Sequence, residues 1–340
     1  MSENVGNKGT GLHAGELQRV NQISPAALAQ YGSRLTNAVR SPADAAANGI
    51  RYPYPGFNGT VGSALRPYPQ VQGNNVVQVY GAPVGFSTYH GLQLVVNRQF
   101  SHGLSVYTNY VYSKNITNIT SSLVGDNANR PLDYYNLRLE KAVSEYDVPH
   151  MFKAYVDYEL PFGRGKALAS NARRVTNTLI GGWSVSVVLN YFSGVPLGFL
   201  GSAPLSSQGW NGAVNRANVA AGDLKTGFDP SRFNFANTRS PEDAYLNKSL
   251  FSDPAALTLG TSAPRYTQVR DFGTKNEDVG LQKNTRLTEK VRFQLRAEFL
   301  NVLNRHQFGG ISTNVTSLTF GQVTNVFNNR QVQLGARLDF

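Results

Sequence analysis

Asp157 and Glu159 are the two side chains best spaced for chemistry in this chain. Two apart on an extended segment, they share a face at roughly 6–7 Å, a separation that serves paired-carboxylate glycoside hydrolysis. The same spacing also serves a solvated polar wall, with Lys153 on the same phase, and this is the preferred reading. The five histidines, His13, His90, His102, His150 and His306, are scattered and form no HExxH or comparable ligand pair. Structural or solvated roles are expected for each, with no metal. No GxSxG, GxGxxG or Walker loop occurs; Phe162-Gly163-Arg164-Gly165-Lys166 is glycine-rich and basic but lacks the Walker spacing. The absence of cysteine removes thiol catalysis, disulfides and Cys-ligated zinc. The expectation is a chain that is not an enzyme and needs no cofactor.

The elements that would carry these residues follow from composition and period. Charged residues make up 16% of the 340 positions, against ~25% in an ordinary soluble domain. Tyr, Phe, Asn and Gly are abundant instead. Mean hydropathy is −0.31 and no apolar run approaches the ~18 residues of a membrane helix, so helical spans are excluded. At 41% hydrophobic the chain is too apolar to be disordered. Lys and Arg number 32 against 21 Asp and Glu, for a net charge of +11. These cations are spread through loops and polar faces, with no basic helix and no aromatic RNA-binding motif, so nucleic acid is not an expected partner. A basic surface suits anionic lipopolysaccharide and other outer-membrane lipid.

Period-2 alternation is the dominant pattern. At the C-terminus Val332, Leu334, Ala336, Leu338 and Phe340 share one face, with Gln331, Gln333, Gly335, Arg337 and Asp339 on the other. Met151–Leu160, Trp183–Phe192 and Val291–Asn301 repeat this; in the last, Arg292, Arg296 and Glu298 lie on the polar phase. Looser alternation runs through Leu92, Leu94 and Val96, then Leu104, Val106, Tyr110 and Tyr112. A seventh segment, Asp278–Leu287, breaks phase at Lys283, which requires a bulge or a snorkelling side chain.

Seven strands of roughly ten residues exceed the ordinary mean of about 5–6 and match the length that crosses a bilayer as a tilted β-strand. Short connections, Ser101-His102-Gly103 and Thr288-Glu289-Lys290, and a moderate one after Leu160 alternate with long ones over 114–149, 193–276 and 302–330. Outer-membrane barrels sort their loops this way, short turns in the periplasm and long loops outside. Tyr89, Tyr110, Tyr112, Trp183 and Tyr191 fall near strand ends, where interfacial aromatic girdles sit. The expected fold is all-β: an antiparallel transmembrane β-barrel segment of about seven to eight long strands, incomplete as a barrel, with long extracellular loops. Residues 89–340 hold the strands; residues 1–88 read as an extracellular loop region after a truncated strand, with a short helix entered at Ser24 and Pro25. Seven strands cannot close, since bacterial barrels have even counts and an open edge in lipid leaves backbone groups unpaired. In the longest loop Trp210, Phe228, Phe233, Phe235, Tyr245 and Phe251 stand among Asn, Ser and Gly. They are candidates for gripping a sugar or peptide, or for anchoring the loop on itself.

Five stretches carry a resemblance. These are Val5–Thr10 as the end of an ascending strand, Leu65-Arg66-Pro67-Tyr68-Pro69-Gln70 as a loop exit, and the hairpin Phe100–Leu104 with Tyr110–Lys114. Arg296–Asn304 with Gln307-Phe308-Gly309 forms the penultimate strand and its loop, and the alternating segment ending at Phe340 follows. In this order they resemble the C-terminal barrel of TonB-dependent outer-membrane receptors, in particular the Oar-like group with a carboxypeptidase-regulatory-like domain. Arg305-His306 stands where that family carries His-Pro.

The resemblance implies an outer-membrane location and uptake of an extracellular ligand by the full-length protein, with TonB pulling on a plug domain. No signal peptide, TonB box or plug is expected within the chain. It also implies that Val332, Leu334, Ala336, Leu338 and Phe340 form the signal read by the barrel-assembly machinery. Lys153, Asp157, Glu159, Arg292, Arg296, Glu298 and Arg337 would line the wall that the plug contacts. A passive pore, an adhesin-like barrel or an inactive truncated product are the alternatives.

Overall fold

The computed structural model describes residues 1–14, 20–71, 77, 81–119, 131–201, 215–233 and 243–340. Eight long strands form one antiparallel sheet in sequence order: β1 Ser2–Ala14, β2 Ala82–Ser101, β3 Leu104–Thr117, β4 His150–Glu159, β5 Trp183–Phe192, β6 Thr274–Arg286, β7 Arg292–Leu300 and β8 Gln331–Asp339. A two-residue strand, Ala142–Val143, adds to the loop end of β3. Every neighbour along the sheet is also a neighbour in sequence, the up-and-down order expected of barrel walls. Among the described residues, β1 pairs only with β2 and β8 only with β7. Among the described residues no helix is long and apolar enough to cross a membrane.

The register carries the alternation from strand to strand. Val332, Phe299, Val279, Val187, Val156 and Val106 form one row, joined by direct pairs. Leu334, Ala297, Leu281, Val185, Tyr158 and Leu104 form the row beneath it. These side chains make an apolar face. Leu334, Val332 and Val96 on it are 76%, 56% and 60% exposed, so the strands bury no core of their own. An exposed apolar face of this extent requires lipid.

Three expectations change, and the alternative open at Lys283 is decided. Ser2–Ala14 is a full strand, and β2 begins at Ala82, so the segment expected as loop over 1–88 shrinks to the stretch between Ala14 and Ala82. Neither end alternates, because Gly6, Gly9, Gly11, Pro83 and Gly85 interrupt the pattern; pairing from Ser2↔Leu94 to Ala14↔Ala82, with two register shifts, makes these strands. Likewise β3 runs on to Thr117 and β6 starts at Thr274, shortening the expected loops. Lys283 sits in unbroken register between Trp183 and Leu295, so no bulge forms. It snorkels instead, its Nζ donating to the Leu179 and Gly181 carbonyls at 3.0 and 2.8 Å and lying 4.9 Å from the Trp183 ring centre. Tyr89 pairs with Asn7 and Asn115 on the polar face, apart from Tyr110, Tyr112 and Tyr191, which lie on the apolar face toward the long connections, and Trp183, which lies on it at the turn end.

The β2–β3 turn is two residues long, with His102 and Gly103 both at positive φ, the geometry that matches strand twist. At the same end β4 and β5 are joined through helix Arg174–Ile180, and β6 and β7 by a five-residue turn in which Thr288 Oγ1 accepts from the Lys290 and Val291 amides.

The hydrophobic core lies at the opposite end, in the long connections. Ile23, Leu28, Leu35, Val39, Ala45, Phe57 and Val61 pack between β1 and β2. Helix Pro25–Tyr31 starts as expected, Ser24 Oγ accepting from the Ala27 amide at 3.2 Å. A second core joins the β5–β6 and β7–β8 connections: Phe199, Ala217, Leu224, Leu246, Phe251, Val269, Ile311 and Phe320.

Candidate functional site

The face opposite the lipid-facing rows carries the polar side chains. Asp157 is paired in register with Ser105 and Ser186; from Ser186 the row continues through Gly280 and Glu298 to Gln333. The next row runs Glu159, Ser184, Gln282, Arg296, Gly335. Below it lie Asn284, Gln294 and Arg337, then Arg286, Arg292 and Asp339. Lys153 stands two rows toward the loops from Asp157, its Nζ 5.4 Å from the Phe192 ring centre. All seven of the sequence-derived wall residues therefore share one face of one sheet.

Their electrostatics are short-range. Arg296 pairs with Glu298 at 2.6 Å and Arg337 with Asp339 at 2.7 Å, each along its own strand. Glu159 is engaged by Lys166 of the following turn at 2.7 Å. Arg286 and Arg292 are direct cross-strand partners, a like-charge juxtaposition that destabilises a bare sheet. Arg286 lies on the polar phase of the expected segment Asp278–Leu287 and was not among the wall residues named from the sequence. Two cavities open on this wall, of about 260 Å³ beside Arg296, Glu298, Gln333 and Arg337, and about 360 Å³ beside Arg286, Arg292, Gln294 and Asp339. Among the described residues no cluster of three or more His, Asp or Glu is arranged for a metal.

Above the wall the connections lock together. Arg270 donates to the Asp147 carboxylate and carbonyl, each at 2.6 Å, and to the Gly194 carbonyl at 3.1 Å, tying the β3–β4 connection to the β5–β6 connection. Arg216 pairs with Glu140 across the same two connections, and Arg265 Nε donates to the Val143 carbonyl at 2.8 Å. Burial holds Arg216 and Arg265 below the usual arginine range, and the nearby Glu140 opposes this in both. Gln22, wholly buried, brings in the N-terminal segment: it donates to Asp133 at 2.9 Å and accepts from the Tyr134 amide at 2.9 Å. Three connections are thus joined by polar contacts, and the second core adds the β7–β8 connection through Ile311 and Phe320 to make one cap. The spacing of Arg216, Arg265, Arg270 and Gln22 holds no period that could have marked them.

The loop aromatics divide. Phe251 is built into the second core, 4.6 Å from Phe199 and 5.1 Å from Phe320 between ring centres. Phe228, Phe233, Tyr245, Phe272 and Phe308 form a neighbouring ring cluster, with Phe228 5.3 Å from Phe272 and Phe233 5.3 Å from Phe308. Tyr245 donates to the Arg270 carbonyl at 2.6 Å, and burial and the Asp271 charge push its pKa up. These rings hold the connections to one another. Trp210 and Phe235 lie outside the described residues.

The C-terminal row Val332, Leu334, Ala336 and Leu338 pairs with Phe299, Ala297, Leu295 and Phe293 on the apolar face, and Phe340 follows the strand, 90% exposed.

An up-and-down sheet with a lipid-suited face, a polar face, short turns at one end and folded connections at the other defines a bacterial outer-membrane β-barrel protein. The chain belongs to the outer membrane beta barrel domain family, which matches residues 3–333. No curated protein matches it. Two solved structures from Escherichia coli show similarity. The ferric-catecholate import receptor Fiu, in a closed form, is 13% identical over 78% of this chain and 22% of that one, with a TM-score of 0.33. The outer membrane transporter YddB is 10% identical over 75% of this chain and 25% of that one, with a TM-score of 0.33. The chain spans about a quarter of the length of each or less.

Proposed function

We propose that the chain forms part of the wall of a TonB-dependent outer-membrane receptor of the Oar-like kind, and that the full-length protein imports a scarce extracellular ligand. The carrying observation is the open sheet with its arginine-bearing polar face. Among the described residues each edge strand is paired on one side only, so the eight strands fit as an arc of a larger wall. The opposed pair Arg286 and Arg292, with Arg296 and Arg337 beside it, favours an occupant that brings acidic or polar groups to that face, as a plug domain would. Assembly by the barrel machinery through the C-terminal row, and coupling to TonB, belong to the same reading. Asp157 and Glu159 are wall residues in it, with no catalytic role.

The test is uptake by a strain carrying the full-length gene, compared with its deletion and with a strain lacking TonB, over a panel of siderophores, glycans, peptides and vitamins. One panel member should be lost equally in both mutants. Uptake that survives loss of TonB would identify a passive pore and end the receptor reading.

A further inference from the structure

The apolar face ends in a cationic rim. His90 and Lys114 are direct partners on β2 and β3, and Lys275 stands on β6 beside Tyr191. His150 lies between them on β4, paired with Tyr112 and 2.8 Å from the Tyr110 hydroxyl. The register rows do not run level with a membrane. The β2–β3 turn falls at the level of Glu159, since the Glu159 amide donates to the Gly103 carbonyl. Glu159 shares its row with Gln282, yet the β6–β7 turn lies four residues further down, at Arg286 (286 − 282 = 4). Measured from their own turns, the two lysines and His90 coincide: Lys114 is 10 residues above Leu104, His90 is 11 below Ser101 in number, and Lys275 is 11 below Arg286. At about 3.3 Å per residue and a tilt near 40°, each stands about 25–28 Å above the turn end, the height of a barrel's apolar band.

Between rim and turns this face presents Leu92, Leu94, Val96, Val106, Val279 and Leu281. The charges Arg98 and Lys283 lie three residues from their turns, at the opposite interface. The one strand carboxylate on the face, Glu277, is 5% exposed; Arg305 Nε pairs with it at 2.8 Å and the Tyr191 hydroxyl donates to it at 2.8 Å. Among the described residues no carboxylate pairs with Lys114 or Lys275. A cavity of about 380 Å³ opens at the rim between His150, Phe152, Tyr191 and Lys275.

We propose that this rim, with His90, Lys114 and Lys275 above Tyr110, Tyr112 and Tyr191, is a binding site for the phosphate groups of an outer-leaflet glycolipid. The cations take the phosphates, the aromatic rings sit at the head-group level, and the apolar rows below receive the acyl chains. A free anion would find the charge but not the adjoining apolar band. The inference rests on the outer-membrane placement and not on transport, so a protein that imports nothing could still carry this site.

The test uses the protein extracted from the outer membrane in which the cell assembles it, freed of lipid and placed in phosphatidylcholine nanodiscs. Binding of bis-phosphorylated lipid A is read by native mass spectrometry. Each lysine should contribute about fivefold in affinity, the change carried by about 1 kcal/mol, so Lys114→Gln with Lys275→Gln weakens binding about 25-fold. Lys114→Arg with Lys275→Arg should bind as wild type, and Lys248→Gln in the cap should change nothing. Wild type should also prefer bis-phosphorylated over dephosphorylated lipid A by a similar factor, an arm that needs no variant to fold. Equal affinity for the two lipids, an unchanged double glutamine variant, or displacement by millimolar inorganic phosphate would overturn the proposal.

Discussion

Replacing Arg270 by Met tests whether the cap is one locked body. The Asp147 side chain is 2% exposed and that of Arg270 14%. Without the guanidinium, the Asp147 carboxylate keeps only the Asn115 amide at 2.7 Å, and the Asp147 and Gly194 carbonyls lose their donors. Removing one partner of a buried pair costs about 3–5 kcal/mol, against 0.2–1 for an exposed one. At about 1.4 kcal/mol per tenfold, this corresponds to opening about 100 to 4,000 times more often. Hydrogen exchange in bilayer discs reads it directly. The Ser144 amide on the Asn115 carbonyl, the Asp147 amide on the Ser144 carbonyl and the Asp271 amide on the Val195 carbonyl should accelerate together. Amides pairing β5 with β6 near Val187 and Val279 should keep their rates, since the strands share no partner with the pair. Adding Asp147→Asn removes the stranded charge and should return most of the loss. Acceleration of less than about threefold in Arg270→Met would refute a load shared across the two connections.

Three further outcomes follow from named contacts. Phe199→Ala, at a ring 1% exposed and packed on Phe251, Tyr266 and Phe320, should destabilise the second core by about 3–5 kcal/mol, seen as exchange in the cap without loss of the strands. Gly182 has φ +73° and an added Cβ would lie 2.1 Å from the Asn284 carbonyl oxygen, so Gly182→Ala should break the pairing of β5 with β6 at the turn end of the sheet and abolish the heat-modifiable migration of the folded barrel. Burial raises the Asp271 pKa in the cap, so its protonated form favours folding; that stability is present below the unfolded value of about 3.9 and falls as pH rises through the raised folded value. Asp271→Asn should remove this limb from a denaturation–pH series, and an identical series would refute the assignment.

Much of the wall was legible. Alternation at 151–160, 183–192 and 331–340 determines which side chains share a face, because successive residues on a strand point opposite ways whatever they pair with. Hence Lys153, Asp157, Glu159, Arg292, Arg296, Glu298 and Arg337 could be placed together before any strand was paired. Loop lengths sorted the two ends for the same local reason. Of β1 only Val5–Thr10 was expected, as the end of a truncated strand and by resemblance; its full length escaped the alternation because its order comes from β2, through pairs such as Gly6↔His90 and Gly9↔Ser87, and not from its own side chains.

What only the tertiary structure decided is register and the cap. Register brings Arg286 against Arg292 and sets Lys114, His90 and Lys275 at one height, and a one-residue slip would have exchanged the two faces. In the cap, Gln22 meets Asp133 and Arg270 meets Asp147 across 111 and 123 positions of chain. Such contacts leave no period in the sequence, because each is made once, between segments that meet only after the strands have brought their ends together.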